Sequence, residues 1–137
     1  MSKINPYIGF NGKTREAMHF YQNIFGGELE LLTVKGSPME QYWQSAPEGA
    51  LYHAMLTNAD GIVMMGSDMS GPNGHTPGNV IQLAITCNSE EEINMFFNKL
   101  SEGGTVMDTL KEQFWGAIFG AVLDKYGINW MLNYNKQ

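Results

Sequence analysis

Only one cysteine, Cys87, occurs in the 137 residues. No disulfide can form within the chain, and a reducing compartment is expected. Positive charge is scarce too. Eight Lys and Arg stand against fourteen Asp and Glu, a net charge of −6. Nucleic acids and anionic membranes select basic patches, so neither is expected as a partner. Long apolar runs are also missing. The most apolar stretch, Phe114 to Leu123, is about half of the ~20 residues that a membrane span needs. Met1 to Phe10 holds one lysine and no apolar core of signal-peptide length. Together these absences predict a soluble, cytoplasmic protein, and the length fits one domain over residues 1–137.

Nucleotide and nucleophile signatures are absent as well. The glycine-rich stretch Gly66 to Gly78 has no Walker lysine and no GxGxxG spacing. Cys87 has no histidine near it in sequence. The acids Glu28, Glu30, Asp108 and Glu112 fall on strand regions but show no acid–base pairing.

What the chain has in quantity is methionine (ten) and aromatic residues (seven Phe, six Tyr, three Trp). Such side chains fill irregular core gaps, and they also make adaptable apolar pocket walls.

A short pattern occurs twice. Asp60-Gly61-Ile62-Val63-Met64-Met65 is echoed by Tyr126-Gly127-Ile128-Asn129-Trp130-Met131. Each copy ends a segment that starts with a strand and an amphipathic helix. Periodicity predicts a strand over 4–10 and a helix over 14–25 with Ala17, Phe20, Tyr21, Ile24 and Phe25 on its apolar face. Gly26-Gly27 stops that helix. Strands are expected over 28–34, 51–57 and 62–66, the last two forming a hairpin. Lys35 to Gly49 reads as a loop.

The second half repeats the order. A strand over 80–86 leads to the capping box Ser89-Glu90-Glu91-Glu92. The helix that follows carries Ile93, Phe96, Phe97 and Leu100 on one face and stops at Gly103-Gly104. Strands over 105–110, 117–123 and 128–133 complete the half.

Phe20 to Phe96 is a shift of 76 positions, and Gly61 to Gly127 is a shift of 66. The difference of ten lies between Ser37 and Glu48, an insertion in the first half alone. The fold class predicted is α+β. Two βαβββ modules, residues 4–68 and 80–135, flank a Gly- and Pro-rich linker, 69–79. Side by side they would make a curved eight-stranded sheet around a cleft, with both helices outside.

His53 stands mid-strand among apolar neighbours. It is either a core imidazole bonded to backbone or a cleft residue able to bind a ligand or take a proton. Gln82, a polar residue on an apolar strand, either bonds a neighbour or faces the cleft. Trp115 and Trp130 are candidate aromatic walls, with core packing the plainer role for Trp130. Tyr42 and Trp43 lie in the insertion, which is expected to cap the cleft or touch a second chain. His19, off the apolar helix face, reads as solvated, and His75 as a loop residue or part of a lid.

The segments Tyr7-Ile8-Gly9-Phe10-Asn11-Gly12, Glu16-Ala17 with Phe20-Tyr21, Phe25-Gly26-Gly27, Tyr52-His53-Ala54, Met65-Gly66-Ser67-Asp68, Phe114-Trp115-Gly116 and Asp124 to Gly127 with Trp130-Met131 occur in an order that resembles the vicinal oxygen chelate superfamily. That group includes glyoxalase I, bleomycin-resistance proteins and extradiol dioxygenases. Within it the chain is similar to the PhnB-like, glyoxalase-like branch, over nearly its whole length.

The resemblance implies divalent-metal positions on the first, fourth, fifth and eighth strands. Here they carry Pro6 (Asn5 or Tyr7 in a neighbouring register), Met64 or Met65, Gln82 and Met131. Metal sites of this kind want imidazole and carboxylate. The expectation is therefore no cofactor, with a divalent metal as the alternative. Some proteins of this branch have been labelled demethylubiquinone methyltransferases. Gly9-Phe10-Asn11-Gly12 does not have the shape of an S-adenosylmethionine turn.

The expected function is binding of a small organic molecule in an apolar, aromatic cleft, with His53, Gln82, Trp115, Met131, Tyr7 and Met65 against it. The alternative is an enzyme of the lyase, isomerase or oxygenase type that uses His53 and Gln82, or a divalent metal. Members of such a family are commonly dimers, so a homodimer is expected.

Overall fold

Residues that recur every three or four positions set the first helix. Along Thr14–Phe25 (α1), Ala17, Met18, Tyr21 and Ile24 are all buried. The expected face omits Met18, which is fully buried beside Ala17 and widens the stripe by one residue. Phe20 and Phe25 sit at its half-buried margins. Gly26 and Gly27, both at positive φ, end the helix.

The computed structural model describes residues 2–70 and 74–136. The chain divides into two compact units between Thr76 and Pro77, inside the segment expected as a linker. Gly71, Pro72 and Asn73 of that segment lie outside the described residues.

In the first unit, Tyr7–Gly9 (β1), Glu28–Thr33 (β2), Leu51–Asn58 (β3) and Gly61–Ser67 (β4) form one mixed sheet. Its order is β1-β4-β3-β2. β1 runs parallel to β4, and the other pairs are antiparallel. Ala54, Leu56 and Met64 are buried on the face that carries α1. Leu29 and Leu31, opposite Leu56 and Ala54, share that face.

The insertion is not a plain loop. Pro38–Tyr42 forms a 3₁₀ turn, with the Ser37 hydroxyl accepting from the Met39 N–H. Val34, Ala46 and Ala50 form a small buried cluster beside it, with Trp43 and Tyr52 packed against them.

In the second unit, Leu83–Thr86 (β5), Thr105–Glu112 (β6), Ala117–Leu123 (β7) and Asn129–Asn135 (β8) give a sheet of order β5-β8-β7-β6. Glu90–Ser101 (α2) covers one face, with Ile93, Phe97 and Leu100 buried. The serine half of the expected capping box forms, while the glutamate reaches one residue further back, to Asn88 instead of Ser89. The Ser89 hydroxyl accepts from Glu92 N–H, and the Glu92 carboxylate accepts from Asn88 N–H.

Two strands start three residues later than the sequence predicts. β1 begins at Tyr7 rather than Ile4, because Pro6 has no N–H to give a ladder and supplies only its carbonyl, to Met65. β5 begins at Leu83 rather than Val80. Its parallel partner starts at Asn129, just after the turn closed by Asp124, so the ladder has nothing to offer Val80 and Ile81, which are 91% and 75% exposed. Both sheets and both helices otherwise follow the expected βαβββ order. Among the described residues, no helix is long and apolar enough to cross a membrane.

Candidate functional site

Each sheet has one face under its helix and one face away from it. Strand alternation fixes which side chains reach the second face. In the first unit, Tyr7, Met65, Met55 and Glu30 lie in one row across the four strands. His53, two residues before Met55, is on the same side and pairs with Leu32. The Tyr7 ring spans β4 to reach it. The Tyr7 hydroxyl lies 3.3 Å from His53 Nδ1 in a hydrogen bond, and the two ring centroids are 5.7 Å apart. Tyr7 is 52% exposed, and His53, Met55 and Met65 are half-buried. His53 is therefore no core histidine tied to backbone. It forms a polar pair on a soft apolar surface.

In the second unit, Met131 lies in a row with Ala84, Ala121 and Asp108. Phe119 is on the same side, since Ile118, Gly120 and Val122 take the buried positions between. Trp115 meets Phe119 edge to face at 6.3 Å and is 53% exposed. Sequence reasoning had Trp115 and Met131 but not Phe119, and Tyr7, His53 and Met65 but not Met55. In both strands the two parities are apolar, so alternation alone marks neither face. Gln82 is exposed and lies just outside β5.

Two buried carboxylates do structural work instead. Asp68 Oδ1 accepts from Gly12 N–H (2.9 Å), Thr14 N–H (3.0 Å) and the Thr14 hydroxyl, and its Oδ2 accepts from Leu51 N–H (2.9 Å). Asp124 accepts from Tyr126 and Ile128 N–H, and from the Trp130 indole N–H at 2.7 Å. Trp130 is thus a core residue with its one polar atom satisfied. His19 and His75 are exposed. Trp43 packs on the insertion's own cluster, while Tyr42 is exposed. Burial, with the Glu92 charge adding to it, pushes the Cys87 thiol up to about 11. It stays protonated at neutral pH and is a poor nucleophile.

The chemistry of the implied metal positions can be judged on the side chains present. Tyr7, Met65, Gln82 and Met131 offer a phenol, two thioethers and an amide. Hard divalent cations take oxygen ligands, carboxylates above all, and zinc or nickel take imidazole with carboxylate, so none of these side chains is a ligand of the kind expected.

A family model described as 3-demethylubiquinone-9 3-methyltransferase matches residues 2–133. The chain belongs to this family. It is 30% identical to the protein YjdN of Escherichia coli, over 98% of this chain and 96% of that one. The crystal structure of protein PA1353 from Pseudomonas aeruginosa is 31% identical, with a TM-score of 0.84 over all of both chains. A putative 3-demethylubiquinone-9 3-methyltransferase, PhnB protein, from Bacillus cereus is 30% identical, with a TM-score of 0.72 over 97% of this chain and 99% of that one. The family shares its fold with glyoxalase/bleomycin resistance proteins. One such family enzyme, from Burkholderia phytofirmans, reaches a TM-score of 0.62 at 13% identity, over 97% of this chain and 96% of that one. The PhnB-like resemblance and the expected fold class are both borne out.

Proposed function

We propose that this protein binds a small organic molecule against the sheet faces that its helices leave open, without a divalent metal. The observation that carries this is the Tyr7–His53 pair. A phenol and an imidazole in hydrogen-bond contact, partly open to solvent and bordered by Met55 and Met65, form a polar handle within an apolar wall. Ligand sites have this composition: mostly apolar lining with a few placed polar groups. Trp115, Phe119 and Met131 give the second sheet a similar apolar face.

Methyl transfer, the activity in the family's description, is not the reading the local structure supports. The turn between β1 and α1 is where a cofactor-cradling backbone would be sought. Its Gly12 and Thr14 N–H groups are already bound by Asp68.

A second reading has one observation in its favour. A hydroxyl hydrogen-bonded to an imidazole can pass a proton to or from a bound molecule, which would make the pair catalytic. We also infer that the protein works as a cytoplasmic homodimer.

The test begins with native mass spectrometry of protein purified without chelator, to detect a retained small molecule. Melting curves with zinc, nickel, manganese and magnesium follow. No divalent ion should raise the melting temperature by several degrees in a chelator-reversible way, and one that does overturns the metal-free reading. With a retained molecule in hand, His53→Ala should weaken its binding about tenfold or more, the loss of one hydrogen bond to a polar ligand group. Unchanged binding would make His53 structural. Chemical conversion of the molecule by wild type but not by Tyr7→Phe would establish the enzyme instead.

A further inference from the structure

The first unit has a cavity of about 590 Å³ that shares no residue with the Tyr7–His53 pair. Its walls come from three segments. Arg15, Glu16 and His19 project from the solvent side of α1, Trp43 and Glu48 come from the insertion, and Asp68 follows β4. The volume lies within the range of small-molecule sites, ~300–1,000 Å³. Trp43 and Glu48 belong to the part of the chain that the second unit lacks, where only four residues separate β6 from β7. The cavity is thus a product of the insertion and not of the βαβββ plan.

The lining has a definite chemistry. Arg15 Nη2 donates to Gly49 O at 3.0 Å, which fixes the guanidinium at the wall. One bond uses one of the five donors of its fork. Trp43 is held by Val34, Ala46 and Ala50, which keeps its indole in place beside the cavity. Asp68 is spent on four protein donors, and the carboxylate that the insertion brings to the wall is that of Glu48. A cation that matches carboxylate, a fixed aromatic plane and a carboxylate together select a molecule with both charges and an apolar body. A polyanion would meet that carboxylate, and a simple hydrocarbon would leave the charges unanswered.

We propose that this cavity is a second binding site, for a small zwitterion of the amino-acid type with an aromatic or apolar side chain. Its carboxylate pairs with Arg15, its ammonium group with Glu48, and its side chain lies on Trp43. Arg–carboxylate pairing is bidentate by geometry, and an indole face favours both aromatic and cationic neighbours.

The test uses three probes on the full chain: L-phenylalanine, 3-phenylpropionate, which lacks the ammonium, and phenethylamine, which lacks the carboxylate. Two-dimensional ¹⁵N NMR titration gives affinity and location together. L-Phenylalanine should give saturable shifts centred on Arg15, His19, Glu48 and the Trp43 indole N–H, with each truncated probe at least about tenfold weaker. Arg15→Gln should weaken phenylalanine and phenylpropionate about tenfold or more and leave phenethylamine unchanged. Glu48→Gln should weaken phenylalanine and phenethylamine about tenfold or more and leave phenylpropionate unchanged, and it tests the site independently should loss of the Arg15–Gly49 bond disturb the fold. The proposal is overturned if phenylalanine gives no saturable shift at millimolar concentration, if the shifts fall on Tyr7 and His53 instead, or if the Glu48 variant binds all three probes like wild type.

Discussion

The two helices start by different means. α2 is capped from next door: Ser89, one residue before it, accepts from Glu92 N–H, and three glutamates fill its first turn. α1 has no side-chain cap of its own at Lys13. Its orphan N–H at Thr14 is met by Asp68, 54 positions away at the end of β4. A local cap stabilises a helix whether or not the rest of the unit is folded. A distant cap works only once sheet and helix are in place, so it ties β4, the start of β3, the β1–α1 turn and α1 into one cooperative piece. That piece also lines the Arg15–Trp43 cavity, through Gly12, Arg15 and Asp68.

The largest way to break this comparison is Asp68→Ala. It removes a cap, worth ~1 kcal/mol, and leaves buried donors at Thr14 and Leu51 unpaired, at ~1–3 kcal/mol each. A loss of about 3–5 kcal/mol is expected from urea unfolding. Hydrogen exchange should show protection falling in α1 and β3 together. A loss confined to the first turn of α1 would show that Asp68 is only a cap and not a cross-link.

Much of this molecule is legible in its sequence because the signals are local. The 3.6-residue spacing of Ala17, Tyr21 and Ile24, the double glycines, and Ser89 with Glu92 each act within a few residues. What is not legible depends on distance. Nothing around Asp68 announces that Gly12, Thr14 and Leu51 will need it. The true starts of β1 and β5 depend on where partner strands have bonds to give. Tyr7, His53 and Met65 were readable as site candidates, whereas Met55 and Phe119 were hidden by strands that are apolar on both sides. The Arg15–Trp43 cavity was unreadable. His19 looks solvated on a helical wheel, and only the folded insertion puts Trp43 and Glu48 beside it.

A second comparison concerns the glycines that follow each helix. A Cβ at Gly27 would stand 2.2 Å from Thr57 O, and one at Gly104 would stand 2.4 Å from Leu123 O. These are matching places in the two units, where the chain leaving each helix presses against a strand backbone. Gly27 also has φ of 95°, which side chains rarely adopt, whereas Gly104 is not at positive φ. Gly27→Ala should therefore destabilise by both strain and overlap, about 2–5 kcal/mol, and Gly104→Ala by overlap alone, about 1–3 kcal/mol. Equal losses in urea unfolding would mean that the strand backbone, and not the helix exit, decides the cost.

The smallest effect should come from Ser89→Ala. The substitution removes one hydrogen bond, but Glu90, Glu91 and Glu92 stay to favour the helix N-terminus. The Glu92 carboxylate also keeps its bond from Asn88 N–H. Loss of an N-cap typically costs ~1 kcal/mol, and a value near that, with exchange altered only in the first turn of α2, is expected. Ser89→Asp should restore nearly all of it, because an aspartate can accept the same bond in the same place. No equivalent rescue is available at position 68, where a hydroxyl or amide cannot accept from three backbone N–H groups and a threonine hydroxyl at once. If Ser89→Ala were as damaging as Asp68→Ala, the two caps would differ only in sequence distance and not in what they hold together.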